Sequence, residues 1–433
     1  MTRLEIRWPD ESAERIRVAR GRLERAGETL RSRSFEDRLA IVARVVADWT
    51  AVDSPWRREL AEVLGECSGF HPDTVRKSLD AALLAWRSED LTACARRELS
   101  GLLASPGQRL APFRWTAILA GGLIPMPTLL SGLLPLILGS PVLMRPTTED
   151  PVTASLLKRS LAARDEALAN AFESVSFPAH DPALDELLAA PCVVATGSDE
   201  TIRSISARLG PDQRFVAHGH RFSIVVLGGG IDRGTGGLEA LAEAIALDVA
   251  RWDQTGCLSP VLVHLVDIEP GLAEACAREI AAGLERLSSS MPRGEVPIDV
   301  LASQRTEARE AQMRAAGDGT RCFVGPDHCV VLEADAQPRP APLHRFLRLV
   351  PVESLNELER SLRPYGRHLS NVAHAGLSES QEVELERRLV PFGANRFTRP
   401  GRLQTPPIDW PHDGMPLLTP LAGWLQRDPW GSC

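Results

Sequence analysis

One cysteine in this chain stands where a nucleophile could be held. In Trp252-Asp253-Gln254-Thr255-Gly256-Cys257-Leu258-Ser259-Pro260, Cys257 falls between a helix-like run and a strand-like run, in a junction that contains glycine. Such a junction keeps a thiol rigid while turning it toward a cleft, which attack on a carbonyl requires. Core filler explains a single cysteine equally well, since the type is among the most buried, so other motifs must decide. Three further groups bear on chemistry. Arg145-Pro146-Thr147, after Val142-Leu143-Met144, sets a fixed cation at a strand end, with a solvated surface arginine as the competing explanation. Thr196-Gly197-Ser198-Asp199-Glu200 follows one strand and opens one helix, where N–H groups and the helix dipole attract phosphate; Ser198 is equally placed to cap that helix. His218, His220 and His412 are the imidazoles that could activate Cys257, each set against a structural hydrogen-bonding role. An activating group is needed, because an ordinary cysteine has a pKa of about 8.5.

The elements around these residues follow from apolar spacing. Leu238, Leu241, Ile245, Val249 and Trp252 recur every three or four residues and place a helix before the cysteine, while residues 261–266 read as a buried strand after it. Residues 1 to about 100 read as mainly helical, with amphipathic runs at 35–49 and 75–86. Beyond Pro106 and Pro112, strands at 142–144, 174–177, 192–195 and 224–227 alternate with helices at 151–163, 182–189 and 199–209. A helix at 271–287 follows, then strands at 322–324, 330–332 and 347–352 and a helix at 355–362, with the proline-rich 338–342 as a linker or crossover. Units this short, alternating strand with helix, imply a parallel sheet covered on both faces, with ligands beyond its carboxyl ends. Gly228-Gly229-Gly230 with Gly234, Gly236 and Gly237 match neither the dinucleotide nor the P-loop spacing and read as a turn.

Composition narrows the partners. At 433 residues, 44% hydrophobic and 24% charged, the chain has room for two or three globular domains. A net charge of -8 without Lys/Arg-rich blocks excludes nucleic acid as the main partner. Eight cysteines without close CxxC pairs suggest no metal site and no disulfide framework, so a reducing cytoplasm is expected. The charged stretch Met1 to Pro9 offers no signal peptide. Residues 115–144 carry no charge, yet Pro125, Pro127, Pro135 and Pro141 with four glycines would interrupt a spanning helix, which predicts a buried core and no integral membrane segment.

Taken in order, these stretches resemble the aldehyde dehydrogenase superfamily. Arg145-Pro146 occupies the place of its Lys-Pro cofactor motif, Thr196-Gly197-Ser198 resembles its phosphate motif, residues 252–260 its nucleophile segment, and residues 350–357 a later strand-to-helix step. Within it, Asp253-Gln254-Thr255-Gly256-Cys257-Leu258-Ser259-Pro260, with Gly219-His220 and Trp410-Pro411-His412-Asp413-Gly414, is similar to the acyl-CoA reductases of bacterial bioluminescence. The resemblance implies an α/β fold with a Rossmann-type cofactor domain and an α/β catalytic domain. Its boundaries would be a helical part at 1–105, a nucleotide-binding domain at 106–252, a catalytic domain at 253–400 and a tail at 401–433. It further implies Cys257 and His220 as catalytic residues and Arg145, Pro146, Thr196, Gly197, Ser198 and Glu200 as contacts of NADPH. The implied activity reduces an acyl-CoA or acyl-carrier thioester to an aldehyde, in a cytoplasmic homo-oligomer. The alternative is a non-catalytic subunit of the same fold that binds an acylated partner protein. Three departures stand out. The superfamily's oxyanion asparagine falls near Gly122 or Leu123, and its ribose-binding glutamate falls among residues 340–345, which hold no acid. The glutamate that activates water in hydrolytic members is matched by Ala217.

Overall fold

The computed structural model describes residues 12–103, 108–178, 180–231 and 237–427. Met1 to Pro9, Pro106, Gly234, Gly236 and Cys433 lie outside them. The chain divides into two compact units, one of residues 1–68, 83–220 and 407–433, the other of residues 69–82 and 221–406.

The first unit is built on a parallel sheet. A short strand, β1 (Gln108–Ala111), precedes β2 (Thr116–Leu119), β3 (Val142–Arg145), β4 (Phe172–Ser174), β5 (Cys192–Thr196) and β6 (Arg214–His218). The last five form a sheet in the order β4-β3-β2-β5-β6, with every pairing parallel. β2 and β5 are fully or almost fully buried, as strands covered on both faces must be. Strand order reverses between β2 and β5, which is where a doubly wound sheet opens a ligand crevice. Gly121 just beyond β2 is required there: a Cβ would lie 2.2 Å from the Thr196 carbonyl oxygen at the end of β5.

The uncharged stretch 115–144 resolves into β2, the helix Pro125–Leu138 and β3. Pro125 and Pro127 open the helix, Pro135 lies within it, and Gly139 (φ 89°) closes it in a left-handed C-cap, with its N–H and that of Ser140 donating to the carbonyls of Leu136 and Pro135. Proline and glycine thus bound a short buried helix in place of a spanning one, as the sequence implied. At 14 residues it falls short of the roughly 20 needed to span a bilayer. Among the described residues no helix is long and apolar enough to cross a membrane.

The second unit carries β7 (Phe222–Gly228), β8 (Pro260–Val266), β9 (Arg321–Val324), β10 (Cys329–Leu332), β11 (Phe346–Val352), β12 (Leu369–Ala375) and β13 (Arg396–Thr398). Their order is β13-β12-β7-β8-β11-β10-β9, parallel except that β9 runs against β10. The helices Gly237–Ala250 and Pro270–Ser288 cover one face, burying Ile245, Val249, Ile280 and Leu284 against Val225, Val263 and Leu349. Proline-rich residues 338–342 lie in a helix-free crossover from β10 to the parallel neighbour β11. Gly228 and Gly230 sit against the Gly376 carbonyl, where Cβ atoms would come within 2.6 and 2.9 Å, so the glycines serve close backbone contact. A last strand, β14 (Gly423–Gln426), pairs antiparallel with β1 in the first unit.

Candidate functional site

Cys257 is presented by a turn that is fixed from every side. It follows the helix Gly237–Ala250 and precedes β8, and it is exposed, whereas Asp253, Gln254 and Ser259 beside it are buried. Ser223 of β7 donates to the Cys257 carbonyl at 2.8 Å. Gln254 donates to the carbonyls of Pro260 and Phe346 at 2.8 and 2.9 Å, and Gln404 donates to Ser259 Oγ at 2.5 Å. The backbone is left-handed at three consecutive side-chain-bearing residues, Trp252 (φ 52°), Asp253 (46°) and Gln254 (63°). Such residues cost roughly 1–3 kcal/mol each and persist only where the surroundings determine them.

Those surroundings include a second left-handed run, Leu343 (φ 62°), His344 (51°) and Arg345 (69°), at the entry to β11. The Arg345 guanidinium donates to Asp253 Oδ1 at 2.9 and 2.6 Å, and Asp253 Oδ2 accepts the Gly294 N–H at 2.9 Å. Asp253 and Arg345 are both buried. Arg345 thus takes up a structural ion pair in the stretch where a ribose-binding acid was sought. Asp253 belongs to the nucleophile segment but Arg345 to no motif, and their sequence separation of 92 hides the pairing.

Five of the other described cysteines have thiols shifted away from thiolate, Cys322 being the exception. Burial first, helped at Cys94 by the neighbouring Glu98, pushes the thiols of Cys94, Cys192 and Cys276 up to about 12. Cys67 is shifted upward too, again by burial. Cys329 is buried and held up by its contact with Cys322, whose own value is lowered by that same contact.

The remaining predicted residues belong to the first unit. Arg145 ends β3 half-buried, its Nε–H donating to the Phe177 carbonyl at 3.1 Å with the guanidinium 5.3 Å from the Phe177 ring centroid. Burial lowers its pKa, and no carboxylate pairs with it among the described residues. A cation so placed at a strand end suits an anionic ligand. Pro146 behind it is buried, and Thr147 Oγ1 accepts the N–H groups of Glu149 and Asp150. Thr196 closes β5, and the Gly197 N–H donates to the His218 carbonyl at 3.1 Å. Ser198 caps the helix Asp199–Ser206, accepting the Thr201 N–H at 3.2 Å. Glu200 is exposed in the first turn beside Asp199, whose carboxylate accepts the His220 N–H at 2.9 Å. His220 is exposed. Open space around Gly122 (φ 81°), the crevice between β2 and β5 and the unpaired cation at Arg145 are together compatible with an anionic nucleotide ligand.

His218, at the end of β6, does more than capping geometry would ask. Its Nδ1 lies 2.7 Å from Asp413 Oδ2, and the side chains are only 14% and 3% exposed. The His412 ring stacks on His218 at 4.5 Å and 11°, and Trp410 tilts against His412 at 5.0 Å. Asp413 is itself left-handed (φ 54°). Its segment is tied down by Glu98, whose carboxylate accepts the N–H groups of Leu417, Leu418 and Thr419 at 2.7, 2.9 and 3.1 Å. Donor atoms of His218, His412 and Asp413 lie within 4.8 Å of one another, as in a metal cluster. Imidazole lone pairs lie in the ring plane, however, so two stacked rings cannot both aim at one ion, and the arrangement is that of a hydrogen-bonded dyad. His218 and His412 line a small cleft of about 50 Å³ with Leu130, Leu134, Val194 and Val216.

Comparison with known families decides the class of chemistry: the profile of the family described as acyl-CoA reductase (LuxC) matches residues 30–424. The chain belongs to the LuxC acyl-CoA reductase family. Membership makes it an oxidoreductase of acyl and aldehyde groups. Solved structures agree in fold. Aldehyde dehydrogenase 21 of Physcomitrella patens, in complex with succinate, superposes with a TM-score of 0.73 at 13% identity, covering 97% of this chain and 92% of that one. A NAD-dependent benzaldehyde dehydrogenase of Corynebacterium glutamicum gives 0.71 at 14% identity, over 98% and 92%. Lactaldehyde dehydrogenase from Escherichia coli gives 0.68 at 14% identity, over 90% and 84%. No curated protein matches the sequence significantly. The LuxC chain therefore has the aldehyde-dehydrogenase-like α/β fold expected of it.

Proposed function

We propose that this LuxC-family chain reduces a fatty acyl thioester, carried on coenzyme A or on an acyl-carrier or partner protein, to the aldehyde with NADPH through an acyl-enzyme on Cys257. The Cys257 thiolate attacks the carbonyl carbon, a new C–S bond forms, and the carrier leaves as a thiolate, a near-isoenergetic exchange of thioesters. The nicotinamide, when bound, supplies a hydride to the acyl carbon. Arg145 and the Thr196-Gly197-Ser198 turn hold the cofactor's phosphates in this scheme. Collapse of the thiohemiacetal breaks the C–S bond and returns Cys257 as thiolate. Support comes above all from Cys257 being the exposed thiol among the described cysteines, on a turn with buried flanks. Intact mass after mixing with a long-chain acyl-CoA, without cofactor, tests it. One acyl adduct is expected, absent from Cys257→Ala; an adduct that persists in the variant would give the role to another cysteine.

A further inference from the structure

We propose that Cys322 and Cys329 form a redox-active dithiol, in which Cys322 attacks a small-molecule disulfide and Cys329 resolves the mixed disulfide into an intramolecular bond. The inference goes beyond the thioester-reductase reading and does not rest on it. The pair sits on the antiparallel strands β9 and β10, wholly inside the second unit. In their register Cys322 lies opposite Val331 and Cys329 opposite Val324, so the two side chains share one face, diagonally across the strands. Their sulfurs are 3.8 Å apart. A disulfide closes that gap to about 2 Å. β9 can supply the movement, because it is the edge strand of its sheet and β10 is its neighbour there.

The two sulfurs are not equivalent. Cys329 is buried, and its N–H donates to the Arg345 carbonyl at 3.0 Å, which fixes it against β11. Cys322 is half-buried on the edge strand beside the exposed Arg321, with its sulfur 3.9 Å from the Ala308 carbonyl of the helix Ile298–Arg314. The hydrogen bond from the Cys329 thiol lowers the Cys322 pKa against the opposing effect of burial, and the Arg348 and Arg314 charges add to the lowering. That same contact, then burial, raises Cys329. Thiolate therefore gathers on the more accessible sulfur, the one placed to attack. Its attack on one sulfur of the small disulfide breaks the S–S bond and releases one thiolate. Cys329 then attacks the Cys322 sulfur, and the second small thiolate departs. The two protons of the dithiol end on the two released thiols, so the pair is oxidised by two electrons and the small disulfide is reduced by them. A bond on a half-exposed edge strand is of the reversible kind that a reducing compartment permits.

Cys257→Ala removes the exposed thiol and leaves the pair in place, which makes it the protein to oxidise. After native incubation with glutathione disulfide, cleavage on the N-terminal side of Asp327 should leave the fragments bearing Cys322 and Cys329 joined until dithiothreitol is added. Adding Cys329→Ser should leave glutathione on Cys322, because the resolving thiol is gone. Adding Cys322→Ser should leave Cys329 without glutathione. Limiting iodoacetamide on the wild-type chain needs no substitution: Cys322 should be alkylated at least about 10-fold faster than Cys329. Fragments that separate without reductant would make the two thiols packing groups and overturn the proposal. Glutathione on Cys329 in the Cys322→Ser protein, or equal alkylation of the two, overturns it as well. The acyl adduct on Cys257 judges the reductase reading separately, and its absence leaves the dithiol measurements as they stand.

Discussion

The turn that carries Cys257 and the strand ends that carry Arg145 and Ser198 are built on opposite plans. Around Cys257 every polar side chain is committed inward: Gln254 to two carbonyls, Ser223 to the cysteine's own carbonyl, Asp253 to Arg345. Only the thiol faces out. At the strand ends of the first unit the local bonds are short-range caps, such as Ser198 to Thr201 and Thr147 to Asp150, and Arg145 spends one N–H on a carbonyl. A nucleophile must be held to a fraction of an ångström before its substrate arrives, whereas a cofactor surface can complete its hydrogen bonds with the ligand. Substitution in the first region should therefore damage the fold, and in the second the ligand.

The largest effect expected concerns what the acyl-enzyme meets next. By the sequence resemblance, Ala217 of β6 matches the water-activating glutamate of hydrolytic aldehyde dehydrogenases, and alanine accepts no proton. General-base help is typically worth 100- to 10,000-fold, so oxidation of aldehyde to free acid with NADP should run at least about 100-fold slower than acyl-CoA reduction with NADPH. Comparable turnover in both directions would mean that another group activates water despite Ala217, and would count against the reductase assignment.

Next comes the ion pair under the nucleophile turn. Asp253→Asn leaves the buried Arg345 charge uncompensated, which costs about 3–5 kcal/mol, whereas Asp253→Ala combined with Arg345→Met should recover much of that loss. Urea unfolding measures both. A single-variant loss below about 1 kcal/mol would place the pair with ordinary surface ion pairs and erase the contrast between the two regions.

How much of this was legible beforehand follows from range. The helix at 355–362 coincides with Leu355–Leu362, because Ser354 caps it and Leu355, Leu358 and Leu362 form one buried stripe. Strand β6 escaped notice, since it lies at the sheet edge and buries only Val216. The helix Ile298–Arg314 escaped too, having Ala311 as its buried residue and no apolar face to read. The strand expected at 174–177 runs instead over Phe172–Ser174, where Phe172 fills the core. β1 and β2 precede Val142–Arg145; β2 is hidden in the apolar stretch whose lack of charge obscures its breaks, and β1 is a four-residue strand ahead of that stretch. Cys257 was readable from its neighbours in sequence. Asp253 with Arg345 and His218 with Asp413 were not, because 92 and 195 residues separate the partners and no local pattern links them.

A smaller, pH-dependent effect belongs to the nucleophile side. Asp248, one turn before the strained residues, accepts the Gly401 N–H at 2.6 Å and is fully buried. Burial raises its pKa from 3.8 to about 6, against the pull of Arg251. The folded protein therefore holds a proton that the unfolded chain has released between about pH 4 and 6, and stability falls as pH rises through that window, by about 3 kcal/mol from this group. Asp248→Asn should flatten that slope in unfolding midpoints measured from pH 4 to 7. An unchanged slope would show that Asp248 stays ionised.

The smallest effect is also the most selective. Arg145 offers a cation whose Nε–H is already given to Phe177, so a phosphate would meet the terminal nitrogens, which can grip two of its oxygens at once. A hydrogen bond to a charged group contributes about 1.5–3 kcal/mol, or roughly 10- to 100-fold in affinity. Removing it should weaken NADPH by that factor, and NADH less, if the oxygens belong to the 2′-phosphate. Because Arg145 anchors no carboxylate and only one carbonyl, Arg145→Ala should leave the unfolding midpoint close to that of the parent protein. Fluorescence titration with both dinucleotides, beside thermal unfolding, reads the two outcomes separately. Equal weakening of NADPH and NADH would assign Arg145 to the shared pyrophosphate. A fall in stability matching that of Asp253→Asn would instead make Arg145 a structural residue, and the two regions would be built on the same plan after all.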